Sequence, residues 1–470
     1  MTETQKHYDF IVIGSGPAGQ KAAVQAAKSG KKVAIIERDK ALGGACVHRG
    51  TIPSKTLREN ALRVKNMRQN AKLADFKLGE DTELITLIDR LDEVLDSHDE
   101  FMQRQMQRNH ITRIHGRASF ISTTELKIEK IRADDEIIRA EHIVIASGSI
   151  PRKPDNIPID HEHVFDSDSI LSMLYLPKSL TVLGGGVIAS EYASIFQALG
   201  VEVTMIDKYP QPLGFLDSDL TERFVQVFES MGGCWIGSTE VNKVYWDGLS
   251  SVVTECADGQ VIKSDKLLCA AGRIANVKDL KLENAKLQLN DRGLISVDEN
   301  LRTSTTNILA AGDVIGPPAL ASTSMEQGRR ASCNALGIPI GSTSATIPIG
   351  IYGIPELSSV GLSEQQAVKD HTDIMIGRAS FNEIARGQIS GNQDGMLKII
   401  CDAQGRKVLG VTIVGEGATE LIHIGQMALL THSDVDIFVE SIFNFPTLAE
   451  AYRVAALAII GQRKYHTDSF

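Results

Sequence analysis

Long apolar runs are missing from this chain of 470 residues. No stretch approaches the roughly 18 uninterrupted apolar residues that a membrane-spanning helix needs, so no membrane span is expected. Long basic runs are missing too. The net charge of −10 disfavours nucleic acid and anionic membranes as partners. Cysteine is sparse, with six residues at positions 46, 234, 256, 269, 333 and 401. They form no CxxC pair and no zinc spacing, which argues against a secreted disulfide scaffold, and no metal site is expected. Each of the last five is expected to be a small buried apolar side chain. The polar start, Met1 to His7, does not read as a secretory signal. A cytoplasmic location is expected.

What is present fits a large soluble protein. Apolar residues make up 43% and charged residues 23%, ordinary for a globular chain. The length suits roughly three domains around sizeable cores.

The segment from Tyr8 to Glu37 reads as a βαβ unit. A buried strand, Tyr8–Ile13, runs into Gly14-Ser15-Gly16-Pro17-Ala18-Gly19. An alanine-rich helix follows from Gln20 to Lys28, and then a strand, Lys32–Ile36, closed by Glu37. Each residue type has a physical task in holding a dinucleotide. Gly14 permits the tight turn, Gly16 lets a pyrophosphate approach the backbone, and Gly19 lets the helix pack close to the strand. Free N–H groups and the dipole at the helix start attract phosphate. Glu37 can accept hydrogen bonds from a ribose diol.

A second unit repeats the pattern about 170 residues later. The strand Leu180–Leu183 leads into Gly184-Gly185-Gly186-Val187-Ile188-Ala189, a helix from Ser190 to about Leu199, and a strand, Val201–Ile206, ending at Asp207. The simplest reading is two dinucleotides on one chain, FAD and a nicotinamide cofactor. Asp207 favours a free 2′-hydroxyl and hence NAD. Lys208 beside Asp207 could pair with a 2′-phosphate, which keeps NADP open.

The stretch Gly43-Gly44-Ala45-Cys46-Val47-His48-Arg49-Gly50-Thr51-Ile52-Pro53-Ser54-Lys55 resembles the redox-active helix start of the flavoprotein disulfide reductases. In that family two cysteines five positions apart open a disulfide onto the flavin. Here the first is Cys46 and the second position is Thr51. Other segments resemble the family in chain order. Glu191 corresponds to the acid that pairs with the redox-helix lysine, here Lys55. His142–Ser149, with Gly148, resembles the exit from the flavin domain. Cys269–Asn276, with Gly272, resembles the strand that closes the nicotinamide domain. Thr306–Asp313 resembles the second FAD motif, in which Gly312 allows close approach and Asp313 meets the ribityl chain. Ala321 lies on the next helix. Near the C-terminus the family's acid/base histidine position is Phe445, while the orienting glutamate persists as Glu450.

The resemblance implies an α/β chain with two Rossmann-like dinucleotide-binding domains and a C-terminal α+β dimerisation domain. FAD would bind residues 1–150 and 280–345, NAD(P) residues 151–279, and 346–470 would form a homodimer or higher oligomer. Loss of both the distal sulfur and the histidine points to the soluble, Si-specific pyridine nucleotide transhydrogenase branch. Cys46, Thr51, Pro53-Ser54-Lys55 and Pro446-Thr447 with Glu450-Ala451-Tyr452-Arg453 carry that likeness. The implied reaction is ping-pong hydride transfer between NADPH and NAD through the flavin, without a redox disulfide. Lys55 and Glu191 would tune the flavin, and Thr51 and Cys46 would lie beside it. Two alternatives stand. One is a single-cysteine reductase using Cys46 on a thiol or peroxide, or a quinone or dye reductase. The other is a flavoprotein binding module with no turnover.

Overall fold

The computed structural model describes residues 6–69, 87, 90–130, 133–342, 346–371 and 373–467. The sequence reading places a long helix from Leu84 to Gln107. The described part of it is the helix Arg90–Arg108, and its beginning lies outside the described residues.

The first sheet is built on the Lys6–Ile13 strand, flanked in parallel by Val33–Glu37 and Glu136–Ile145. Thr112–His115 extends one edge in parallel, while Glu125–Glu129 and Arg117–Phe120 extend the other antiparallel. The late strand Ile308–Ala310 returns to pair in parallel with Glu136–Ile145. The chain therefore leaves this sheet and comes back to it, bringing Gly312 and Asp313 beside the first glycine turn.

The turn residues behave as their chemistry requires. Gly14 has φ +100°, and a Cβ there would lie 2.3 Å from the Ala146 carbonyl oxygen. At Gly19 a Cβ would meet the Gly14 carbonyl oxygen at 1.9 Å, so the Pro17–Lys28 helix can lie on the strand only without that side chain. A Cβ at Gly16 would meet nothing within 4 Å. The backbone there faces open space.

The second sheet is wholly parallel. Its order is Cys234–Ile236, Glu202–Ile206, Ser179–Leu183, Lys266–Cys269 and Val164–Asp166. Here too the glycine turn feeds a helix, Val187–Leu199, starting three residues before the predicted Ser190. Cys234 corrects one expectation. Cys256, Cys269, Cys333 and Cys401 are buried, but Cys234 is exposed, because it opens the edge strand directly after the Gly232-Gly233 turn.

The C-terminal part holds an antiparallel five-stranded sheet ordered Ile349–Ile351, Leu357–Gly361, Val408–Val414, Met396–Asp402 and Ile374–Ser380. The helices Ala418–Leu430 and Glu450–Thr467 pack on it. Tyr452 is fully buried between them and donates to the Leu421 carbonyl at 2.8 Å.

Two clamps join this sheet to the preceding units. Lys398, fully buried, lies 2.7 Å from both Asp217 and Asp219 and 3.2 Å from Glu364. Asp217 immediately precedes the helix Ser218–Ser230 but does not cap it; its Oδ1 accepts from the Glu364 amide instead. The second clamp is Arg58 on the Thr51–Gln69 helix, which donates to the Gly353 carbonyl and pairs with Glu356 at 2.7 Å.

Candidate dinucleotide and redox site

Both nucleotide helices begin without a side-chain cap and without an acid in the first turn. Their N-caps, Gly16 and Gly186, are extended. The first N–H groups of each helix are thus left for an outside acceptor, the arrangement that binds phosphate. A Cβ at Gly186, as at Gly16, would meet nothing within 4 Å. Gly184 has φ +117° and approaches the Ala270 carbonyl as Gly14 approaches that of Ala146.

A single cleft of about 640 Å³ runs along the first turn and reaches the start of the second helix. This volume suits a large organic ligand. Its wall contains Gly14, Gly16, Glu37, Gly44, Cys46, Thr51, Lys55, Gly148, Glu191, Gly312, Asp313 and Ala321. The fold therefore gathers twelve of the seventeen sequence-selected residues. Gly19 serves helix–strand packing behind the wall. Gly184, Gly186, Asp207 and Gly272 lie outside it; the first three belong to the second turn and the tip of the second unit's strand.

Glu37 is buried and already holds three bonds. It accepts from the Ser15 amide at 2.9 Å, the Ser15 hydroxyl at 2.6 Å and the Asp39 amide at 2.9 Å. A carboxylate has about four lone-pair sites, which leaves one direction for a ribose hydroxyl. The Ser15 hydroxyl also accepts from the Gly43 amide at 3.0 Å, tying the first turn to the Cys46 stretch. Gly44, at φ +60°, comes so close to Gly16 that a Cβ there would lie 3.0 Å from its Cα.

The Cys46 stretch holds a short helix ahead of the long one that the sequence places from Ser54 to about Gln69. Gly44–His48 forms a short helix carrying Cys46. The chain breaks at Arg49-Gly50, and a new helix runs from Thr51 to Gln69 with Lys55 on its second turn. Burial pushes the Cys46 thiol up from its ordinary value, and Asp313 adds to this. The hydrogen bond with Thr51 and the Lys55 charge pull it down without offsetting the desolvation. At neutral pH this sulfur is a thiol, a poor nucleophile. All six cysteines are free.

Lys55 Nζ lies 2.7 Å from Glu191 Oε2, and the Glu191 side chain is only 7% exposed. The other oxygen, Oε1, accepts from the Tyr352 amide at 2.8 Å. The Tyr352 ring lies under the same ammonium, 4.8 Å from Nζ to the centroid.

Sequence reasoning missed a second network. Asp313 accepts from the Ser149 hydroxyl at 2.7 Å. Arg273 donates to the Ser149 hydroxyl at 2.9 Å and to its carbonyl at 2.9 Å, to the Ser167 hydroxyl at 3.0 Å, and to Asp168 at 2.8 Å. Gly148 and Gly272, both at positive φ, precede the two strands Ser149–Pro151 and Arg273–Ala275, which pair antiparallel. The sequence signal was the arginine directly after Gly272 and the Asp166-Ser167-Asp168-Ser169 run, but nothing local tied the two together.

At the second unit's tip, Asp207 Oδ1 accepts from the Tyr209 amide at 3.0 Å, and Lys208 is exposed with its Nζ 5.2 Å from the Tyr209 ring centroid. At the C-terminal end, Phe445 is 74% exposed. Glu450 begins the last helix, and its Oε2 is buried without a hydrogen-bond partner among the described residues.

Two uncapped glycine turns, an ion pair reaching between their units and a cleft of this size define a two-dinucleotide oxidoreductase. The family model for pyridine nucleotide-disulphide oxidoreductases matches residues 8–328, and that for their dimerisation domain matches 347–456. The chain belongs to the pyridine nucleotide-disulphide oxidoreductase family. It is 40% identical over 461 residues to the soluble pyridine nucleotide transhydrogenase of Mycobacterium tuberculosis (strain ATCC 25177 / H37Ra), covering 98% of each chain. It is 39% identical to the protein of that name from Marinomonas sp. (strain MWYL1), covering 97% of this chain and 98% of the other. Among solved structures it resembles the HOCl-induced flavoprotein disulfide reductase RclA from Escherichia coli, with TM-score 0.86, 28% identity and 96% and 99% coverage. It also resembles LpdA from M. tuberculosis, with TM-score 0.88, 26% identity and 96% and 99% coverage. No described helix is long and apolar enough to cross a membrane, and the described residues hold no cluster able to ligate a metal.

Proposed function

We propose that this protein is a soluble pyridine nucleotide transhydrogenase that moves reducing equivalents between NADPH and NAD with bound FAD. One observation carries the reading. The Lys55–Glu191 pair stands intact beside the cleft, 2.7 Å apart, while both parts of a dithiol relay are replaced, the distal sulfur by Thr51 and the acid/base by Phe445. The thiol state of Cys46 weighs against the single-sulfur alternative.

FAD, when bound, supplies a two-electron store that one nicotinamide fills and the other empties. The chain's own residues do the rest. Gly14, Gly16 and the helix after Pro17 hold its pyrophosphate, with Gly19 allowing that helix its position. Glu37 takes the adenosine ribose. Gly44 and Gly148 let backbone approach, and Gly312, Asp313 and Ala321 hold the ribityl side. Lys55, fixed by Glu191, places a positive charge near the ring, and Cys46 and Thr51 form neutral wall. Gly184, Gly186 and Asp207 hold the nicotinamide dinucleotide, with Gly272 turning the chain back toward the flavin. Positioning of the two rings is the main catalytic device, since no acid/base step is needed.

Residues 1–150 and 280–345 make the FAD-binding domain in this reading, 151–279 the nicotinamide domain, and 346–470 the dimerisation domain. The match to a dimerisation domain supports a homodimer. So does the apolar surface around Phe445 and Ile442, the latter 97% exposed in the single chain. The test is NADPH-dependent reduction of an NAD analogue by the purified protein, with and without added disulfide substrates. Turnover of the analogue supports the reading; turnover of disulfides alone overturns it.

A further inference from the structure

Tyr352 belongs to the C-terminal part of the chain, 161 positions from Glu191, yet it touches both members of the charge pair. Its amide donates to Glu191 Oε1 at 2.8 Å. Its ring faces the Lys55 ammonium at 4.8 Å. Behind it, the Thr419 hydroxyl donates to Glu356 at 3.0 Å. Tyr352 also forms part of the cleft wall.

The segment behind it is held from two further directions. The Ile354 amide donates to the Ser194 hydroxyl at 3.0 Å, and Ser194 lies one helical turn beyond Glu191. Arg58, one turn beyond Lys55, donates to the Gly353 carbonyl at 3.1 Å and pairs with Glu356 at 2.7 Å. The helix carrying lysine and the helix carrying glutamate thus both grip the same short segment, and its tyrosine ring is inserted at the pair.

We propose that Tyr352 is a positioning residue for the redox reaction: its ring fixes the Lys55 ammonium, and through it sets the positive charge next to the flavin. Lys55 has four rotatable bonds and is 26% exposed, so the glutamate alone does not restrain its head to one place. The Tyr352 ring face adds a second restraint, because its quadrupole attracts the ammonium held 4.8 Å from its centroid. The amide bond to Glu191 comes from the backbone and survives substitution of the side chain. Replacing the ring therefore separates its role from that of the amide. The inference rests on the transhydrogenase reading only in placing FAD in this cleft.

The experiment compares the FAD-loaded wild type with Tyr352→Leu, Tyr352→Phe, Lys55→Met and the Tyr352→Leu/Lys55→Met double variant. FAD content, thermal stability, flavin midpoint potential and transhydrogenation are measured for each. With less positive charge ordered at the ring, Tyr352→Leu should shift the midpoint potential negative. It should lower kcat by about tenfold, between the sizes of an exposed and a desolvated cation–π contact, with a smaller change in KM. Tyr352→Phe should recover most of the potential. In the Lys55→Met background, Tyr352→Leu should add little, because the two act as one unit. An unchanged potential in Tyr352→Leu at full FAD content overturns the proposal, as do additive effects in the double variant. Failure of the wild type to transhydrogenate overturns the functional reading and leaves the potential test standing.

Discussion

Lys55 and Glu191 stand 136 positions apart in the chain and 2.7 Å apart in the fold. The first sits on the helix after the Cys46 segment, the second on the helix of the other nucleotide unit. Their contact joins the two units at the cleft. With Glu191 mostly buried, removing its cation leaves a charge with little solvent to compensate it. Lys55→Met should cost on the order of 1–3 kcal/mol of stability and slow hydride transfer. Glu191→Gln, which keeps the Tyr352 amide bond, should cost less. Thermal melts and stopped-flow reduction of the flavin by NADPH check both.

Cys46 should be dispensable for the main reaction. Its thiol is raised by burial above the ordinary value of 9.0. Below that value it is protonated, so alkylation by iodoacetamide should be slow at neutral pH and rise only as pH passes above about 9. Peptide mass spectrometry separates it from exposed Cys234. Cys46→Ser should keep most of the transhydrogenation; its loss would restore the single-sulfur alternative.

The glycines of the first turn make opposite demands. A Cβ at Gly16 touches nothing in the protein, whereas one at Gly19 would meet the Gly14 oxygen at 1.9 Å. Gly16→Ala should therefore fold with near-native stability and lose FAD, since its methyl enters the space left for pyrophosphate. Gly19→Ala should lose stability with or without FAD. Melting curves of the apo-proteins, set beside their FAD affinities, distinguish the two.

Lys398 pairs with Asp217, Asp219 and Glu364 where the C-terminal sheet meets the helix of the second unit, and Arg378 pairs with the latter two as well. Lys398→Met leaves Asp217, 3% exposed, without its cation. A loss of about 3–5 kcal/mol is expected, the usual result of removing one partner from a buried pair. Denaturant unfolding measures it.

The two βαβ units were legible because each is local: strand, turn, helix, strand and acid follow within about thirty residues. Their boundaries shifted by only a few positions, as with the helix that begins at Val187 rather than Ser190. The Lys55–Glu191 contact came from resemblance, and the fold bears it out. What the sequence did not disclose is built from distant pieces. Arg273 reaches Asp168 across 105 positions, and Tyr352 reaches Glu191 across 161. No spacing or periodicity encodes such contacts; they arise when separate units dock. The break at Arg49-Gly50 was hidden for a different reason. The short helix ends on Arg49 at φ −136°, a conformation open to any residue, so no residue type marks the stop.

In the proposed reaction hydride passes between two nicotinamides through the flavin with no sulfur relay. Its most direct measurement is anaerobic: the FAD-loaded protein is bleached with one equivalent of NADPH, and NAD is then added. NAD alone is expected to restore the oxidised flavin spectrum, in the wild type and in Cys46→Ser. Flavin that NAD leaves bleached, but that a disulfide substrate reoxidises, would contradict it.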